Sequence, residues 1–366
     1  MHLVDSAGIR KADVDTPALL LDLETFRRNV ARISEACRAN HKAWRPHTKG
    51  LKVPAIAHAA IAAGAIGVTC AKLGEAEVMV AAGISDVLIA NQIVGREKLA
   101  RLAALSRHAR ITVALDDLVQ AAALDEAASA MGAQIGVVIE VDLGIRRAGV
   151  TPGPAVPALA QAITRLPHLV FRGLMGWEGH ACAILDPAEK EAAVVQAVGM
   201  LTASADLVRA ANIPVEIVSC GGTGTYRISA RQPGVTEIQA GGGLFGDVRY
   251  REMFGVEDLE QALTVLATIV SRPTPTRLVC DAGKKAMSEA VTPTPKGLPG
   301  VKSVALSAEH VVVEFETPND AMRIGQKLEF IVGYEDTTVN LHDLLFGMRA
   351  DVVEVVWPIA GRGKIR

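Results

Sequence analysis

From about residue 17 to residue 245, short apolar runs alternate with Ala-rich helical stretches. "PALLLDL" leads into "ETFRRNVARISEACRAN", "AIGVTCA" into "LGEAEVMVAAG", and "DVLIAN" into "REKLARLAALSRHA". "ITVALD" precedes "DLVQAAALDEAASAMG", "IGVVIEVDLG" precedes a Pro-punctuated helix, and "FRGLMGWEG" precedes a long helical stretch. "PVEIVSCGG" and "VTEIQAGGG" close the series. Such alternation predicts parallel strands joined by crossover helices. With "AWRPHTK" counted, about eight strand candidates fall within roughly 230 residues, the size of a (β/α)8 TIM barrel, although a doubly wound sheet has the same pattern. Two details favour the barrel: residue types suited to chemistry cluster at strand C-terminal ends, and no GxGxxG follows the first strand.

After about residue 250 the pattern changes. "ALTVLATIVSRPTP", "RLVCDAG", "VKSVALSAEHVVVEFE", "KLEFIVGY" and "VVEVVWPIAGRG" are β-rich runs separated by Pro/Gly loops, with no long amphipathic helix. They predict a mainly β C-terminal domain. The expected division is a barrel over 14–250 and a β-domain over 251–366, with residues 1–13 adding a strand to the latter.

Composition narrows the partners. Of 366 residues half are apolar and 21% charged, and the net charge of −2 comes with no long run of one sign. That argues against nucleic acid or an anionic membrane as partner, since phosphate binding is driven by clustered Lys and Arg. No basic region leads into an apolar segment near the N-terminus, and no apolar run approaches the roughly 18–20 residues that span a bilayer, so a cytoplasmic protein is expected. The five cysteines are dispersed and lack CxxC spacing, which fits free thiols better than disulfides or a zinc site.

Two glycine-rich strand ends stand out, "SCGGTGTY" (219–226) and "QAGGG" (239–243). Each is either a tight turn or a row of backbone N–H groups able to cradle an anion, and the last two loops of a barrel are a common phosphate site. Lys49 stands at the end of the second strand candidate, "AWRPHTK". It is either a surface lysine or an amine in the barrel mouth, where burial and nearby Arg45 would lower its pKa. An amine at one strand end and a phosphate cradle across the barrel are what pyridoxal phosphate requires.

The segments "DTPALLLDLETFRRNV", "RPHTKGLK", "AIGVTCAKLGEAEVMVAAGISDVLIAN", "VDLGIRRAGV", "VSCGGTGTY", "TEIQAGG", "DAGKKAMS" and "TVNLHDLLFGMRADVVEVVWPIAGRG" occur in that order. This ordered series resembles the fold-type III pyridoxal-phosphate enzymes, within them the D-threonine aldolase-like group. That group includes D-3-hydroxyaspartate aldolases and, more distantly, D-serine dehydratases. The resemblance implies an alanine-racemase-like barrel followed by a β-domain, pyridoxal 5'-phosphate as cofactor, an amino-acid substrate and a homodimer. It makes Lys49 the Schiff-base lysine and proton shuttle, and makes Thr223, Gly224, Gly241 and Gly242 phosphate contacts. Gln239 falls where related racemases face the pyridine nitrogen, Arg147 matches an arginine near the cofactor, and His47 packs or orients the ring. Trp177 takes the place of a family tyrosine lining the pocket.

The departures from the family pattern carry information. Metal-dependent aldolases of the group hold a divalent ion with the His and Asp of "GHCDPTVN", where this chain has "GYEDTTVN" (333–340). Tyr334 replaces the histidine and Glu335 the cysteine. A hard ion, Mg²⁺ or Mn²⁺, could use Glu335 and Asp336, or the site is empty. The family's "KTHK" reads "KGLK", so Leu51 replaces an imidazole. His180 lies about three positions before the expected catalytic histidine, and His310 matches a family histidine. The expected reaction is retro-aldol cleavage of D-β-hydroxy-α-amino acids, with His180 or His310 taking the hydroxyl proton. The alternatives are a racemase using Lys49 and Tyr334 as opposed bases, a β-hydroxy-amino-acid dehydratase, and a non-catalytic pyridoxal-phosphate-binding protein.

Overall fold

The computed structural model describes residues 7–366; the part of the expected N-terminal strand that falls on residues 1–6 lies outside them. By internal contacts the chain forms two compact units. One comprises 31–49, 54–241 and 363–366; the other comprises 50–53, 242–362 and the described residues up to Val30.

The chain enters through β1 (Ala18–Asp22) and helix α1 (Leu23–Ala39). The barrel strands follow: β2 (Ala43–Trp44), β3 (Val68–Cys70), β4 (Asp86–Ile89), β5 (Arg110–Leu115), β6 (Ile135–Val141), β7 (Leu169–Gly176), β8 (Ile217–Cys220) and β9 (Glu237–Ile238). From β3 to β9 each strand pairs in parallel with its sequence neighbour, and β9 returns to β2. The ring closes between β2 and β3 through a parallel bridge, His47 to Thr69. Thr69 N–H donates to the Pro46 carbonyl at 2.9 Å, and Thr48 N–H donates to the Thr69 carbonyl at 2.7 Å.

Helices α2 (Pro54–Ala62), α3 (Leu73–Ala81), α4 (Arg96–Leu105), α5 (Leu118–Ala130), α6 (Ala155–Ile163), α7 (Pro187–Ala210) and α8 (Tyr226–Arg231) connect the strands. Local chemistry starts several of them. The Asp117 carboxylate accepts from Val119 N–H at α5, and Asp186 accepts from Glu189 N–H at α7, where Pro187 opens the first turn. Helix α7 corrects one expectation. It is 24 residues long and apolar enough, by length and composition, to cross a membrane. Its buried positions, Val194, Ala197, Val198, Leu201, Ala205 and Val208, recur at three- and four-residue spacing, as on the inner face of a barrel helix.

Strand alternation sorts the barrel interior into layers. Arg45 occupies the end where strands begin, held by Glu237 at 3.1 Å and Asp86 at 2.6 Å, the first residues of β9 and β4. Leu88, Ala114, Val138, Met175 and Ile217 form an apolar cluster on five successive strands. Lys49 shares the parity of Arg45, at the end where strands finish. Arg45 therefore sits at the opposite end from Lys49, neutralised by two carboxylates. The expectation that it tunes the lysine is overturned.

The second sheet corrects the place of "PALLLDL". β1 is not a barrel strand. It pairs antiparallel with β10 (Leu263–Thr274), with Ala18 opposite Leu266. The remaining strands are β11 (Arg277–Cys280), β12 (Thr294–Pro295), β13 (Val301–Leu306), β14 (Val311–Phe315), β15 (Lys327–Ile331), β16 (Leu344–Arg349) and β17 (Val352–Pro358). β1 also pairs in parallel with β16, Leu19 opposite Leu345. Its four residues from Ala18 to Leu21 are all buried, so both faces are covered and its apolar run is continuous rather than alternating, like that of a barrel strand. The sheet order is β13-β14-β11-β10-β1-β16-β17, with β15 branching between β10 and β12. Residues 8–10 extend this sheet: Arg10 bridges Val352, and Val353 N–H donates to the Ile9 carbonyl at 2.8 Å.

Breaking the Arg45 triad leaves a buried carboxylate at Glu237 without its cation, which costs about 3–5 kcal/mol. Arg45→Met is expected to lower the melting temperature markedly while the folded protein keeps the parent's circular-dichroism spectrum. An unchanged melting curve would contradict the structural role assigned to this triad.

Candidate active site

The mouth of the barrel gathers its chemistry from the ends of β2, β6, β7, β8 and β9. Lys49 extends the closing segment, its N–H donating to His47 Nδ1 at 3.4 Å. The Lys49 Nζ lies 5.8 Å from the ring centroid of Trp177, just beyond β7, and the Arg147 guanidinium lies 5.4 Å from the same ring. Both cations use the electron-rich face of the indole. Arg147 also pairs at 3.5 Å with Glu140, near the end of β6, whose other oxygen accepts from Gln92 at 2.6 Å. Lys49, Trp177 and Arg147 are thus brought together, as the sequence pattern implies.

Glycine makes room for the indole. A Cβ on Gly222 would stand 2.9 Å from Trp177 Nε1, and one on Gly179 would stand 2.7 Å from its ring. Gly222 belongs to the turn that follows β8, where Gly221 takes φ +79°. Thr225 and Tyr226 N–H groups both donate to the Gly222 carbonyl, at 3.0 and 2.8 Å. Thr223 and Gly224 form the bend of this turn and are buried. Beneath it the Glu178 carboxylate accepts from the Thr225 and Ser229 hydroxyls. At the end of β9, the Gln239 side-chain amide N–H donates to Ser219 Oγ at 2.8 Å, and the Gln239 main-chain carbonyl accepts from His47 N–H at 3.0 Å.

The second glycine run is different. A Cβ on Gly241 would strike the His47 backbone, and one on Gly242 would strike Tyr250 and Glu335. The need for glycine there comes from protein packing. His180 lies exposed in a short 3-10 turn after Trp177, its ring against Gly144. His310 is exposed in the hairpin between β13 and β14 of the other unit.

That unit holds an acidic cluster. Asp247 accepts from Tyr250 N–H at 2.7 Å and Glu335 N–H at 2.9 Å, and burial holds its carboxyl above the usual carboxylate range. The Tyr334 hydroxyl donates to Asp336 at 2.5 Å, and the Arg249 guanidinium lies 4.4 Å from the Tyr334 ring centroid. Burial first, then the Asp336 charge and hydrogen bond, raise the Tyr334 phenol; Arg249 opposes them only in part. This is the reverse of the lowering that a base at Tyr334 requires. The same contacts bear on a metal. Asp247 and Asp336 are engaged by protein donors, a guanidinium stands beside Tyr334, and no group of three or more His, Cys, Asp or Glu among the described residues could hold an ion. Both Glu335 carboxylate oxygens and Asp336 Oδ1 are buried acceptors that lie outside these bonds.

Sequence reasoning missed Glu178, Glu140, Ser219 and Arg249. A signal existed for Glu178: an acidic residue directly after the apolar run "GLMGW" needs partners if that strand end is buried.

The alanine racemase N-terminal domain family matches residues 21–249, and the putative serine dehydratase domain family matches 262–348. D-threonine aldolase from an Arthrobacter species is 39% identical over 96% of this chain and 94% of its own. 3-Hydroxy-D-aspartate aldolase from Paracoccus denitrificans strain Pd 1222 is 33% identical over 98% of this chain and 94% of its own. The crystal structure of D-threonine aldolase from Filomicrobium marinum superposes with a TM-score of 0.95 at 37% identity, covering 98% of each chain. The chain belongs to the alanine racemase N-terminal domain family, on the branch that carries the serine dehydratase-type second domain and includes these aldolases.

Because the indole fills the space beside Gly222, Gly222→Ala is expected to displace it, at about 1–3 kcal/mol. The variant's tryptophan emission should shift from that of the parent. The shift should vanish when both proteins carry Trp177→Phe; a shift that persists would place the perturbation elsewhere.

Proposed function

We propose that this protein is a pyridoxal-phosphate-dependent lyase that cleaves D-configured β-hydroxy-α-amino acids by retro-aldol reaction, giving glycine and an aldehyde. The observation that carries the reading is Lys49, set by main-chain bonds at the barrel mouth in a chain 39% identical to a D-threonine aldolase. The residues present suit the cofactor: an amine, a glycine-rich turn whose main chain could meet an anion, and an indole wall between them. When bound, pyridoxal phosphate supplies the sink for the electron pair released at Cα–Cβ cleavage.

The chain's own residues do the rest. Lys49 would hold the cofactor through its aldehyde carbon and is placed to carry a proton for Cα. Thr223 and Gly224 would hold the phosphate, and His47 would support the ring. Gln239, anchored by Ser219, would offer the ring nitrogen a neutral amide, which supplies no full counter-charge. Arg147, held by Glu140, and Trp177 bound the mouth. His180 takes the β-hydroxyl proton; it shares the barrel unit with Lys49 and follows Trp177 by three residues. Positioned proton transfer of this kind is worth roughly 10²–10⁴ in rate. No step is routed through a metal. Nor does Tyr334 serve as a racemase base, because its phenol is raised and tied to Asp336.

Incubation with D-threonine or D-phenylserine is expected to release glycine and the matching aldehyde; an oxo acid with ammonia, or solvent deuterium at Cα with inversion, would overturn the aldolase reading. Lys49→Ala should abolish the cofactor's visible absorbance, and an unchanged spectrum would sink the assignment. His180→Asn should lower kcat by roughly 10²-fold or more, whereas His310→Asn should leave it within about twofold. Aldehyde release that falls with EDTA and returns with Mn²⁺ would assign a divalent ion to the buried Glu335 and Asp336 oxygens, and a rate unchanged by both would exclude one from the reaction.

A further inference from the structure

Glu178 is fully buried directly after Trp177 at the barrel mouth. A buried carboxylate is costly unless donors surround it, and here all of its recorded donors come from one short stretch. The Thr225 and Ser229 hydroxyls each donate to Oε1 at 2.6 Å, and Gly221 N–H donates to Oε2 at 3.4 Å. The two hydroxyl contacts are short, as hydrogen bonds to a charged acceptor are. Gly221 and Thr225 bracket the glycine turn, and Ser229 lies one turn further along α8. A single side chain thus fastens the turn at its entry, at its exit and through the helix behind it.

Gly221, Gly222 and Gly224 are glycines, which lose more backbone freedom on ordering than any other residue. The internal bonds of the turn run from Thr225 and Tyr226 to Gly222, and the Gly221 carbonyl accepts from Gln239 N–H at 3.1 Å. Glu178 adds to these the ties at both ends of the turn. We propose that Glu178 is a positioning residue: it touches no ligand, and holds the 221–225 turn in the shape that receives the phosphate group of the cofactor. This rests on the phosphate assignment of Thr223 and Gly224 made above. Glutamate is required rather than glutamine because every neighbour is a donor. An amide would keep an acceptor for the hydroxyls but turn an N–H group toward Gly221 N–H.

The test compares pyridoxal 5'-phosphate with pyridoxal, which lacks the phosphate, as ligands of the full-length protein by visible absorbance titration. The parent should prefer pyridoxal phosphate strongly. In Glu178→Gln its Kd should rise at least about tenfold while that of pyridoxal changes less than about twofold. At saturating pyridoxal phosphate, kcat should stay near the parent value. A general loss of structure would weaken both ligands and lower kcat together, and that result overturns the proposal. So does a Glu178→Gln protein that keeps the parent's preference. A parent that does not distinguish the two ligands sinks the phosphate assignment itself, and the proposal with it. If Glu178→Gln does not fold, Ser229→Ala, which removes a single donor, carries the test on the same criterion with an expected loss of about threefold in the preference; an unchanged preference there overturns the proposal.

Discussion

The barrel mouth depends on how a strand of only two residues completes a ring of eight. β2 contributes Ala43 and Trp44 to its ladder with β9, and the ring is joined on the other side by the residues that follow. Pro46 has no N–H to offer, so its carbonyl accepts from Thr69, and Thr48 returns a bond to the same residue. A third bond, from His47 N–H to the Gln239 carbonyl, ties the segment back to β9. Main-chain bonds on both sides therefore hold the peptide that ends in Lys49. The amine's position follows from barrel closure rather than from the packing of a long flexible side chain, and this suits a group that must attach a cofactor.

Around that closure, buried charge is arranged by height. Arg45, Asp86 and Glu237 seal one end, an apolar layer fills the middle, and Glu140 and Glu178 stand at the other end. In a low-dielectric interior a carboxylate is tolerable only with partners, and each of these has them. The partners do further work at the mouth. Glu140 holds Arg147 over the indole, and Glu178 gathers the turn after β8. The two acids in contact with the mouth thus act through other residues.

In the β-domain the Tyr334 hydroxyl occupies one oxygen of Asp336, and a guanidinium lies against the ring that carries it. Asp247 fixes the backbone of both Tyr250 and Glu335. Asp247 and one oxygen of Asp336 thus organise protein groups. The burial that raises the tyrosine phenol also removes it as a base.

Alternation of strand and helix was enough to make "AWRPHTK" part of a barrel and to set Lys49 at a strand end. The β-rich second half was equally plain, because Val- and Leu-rich runs between Pro/Gly loops have few other uses. Partner choice was not legible. An all-apolar strand followed by an amphipathic helix reads the same whether it begins a barrel or crosses the middle of another sheet, and only Leu266 and Leu345 decide for Ala18–Asp22. Arg45 read as a neighbour of Lys49 because four residues separate them, yet its carboxylates lie 41 and 192 positions along the chain and at the other end of the barrel. Glu178 went unread for the same reason, its donors being 43, 47 and 51 residues away. Local spacing determines which face of an element a residue occupies. What that face meets is decided by long-range pairing, which the tertiary structure alone supplies.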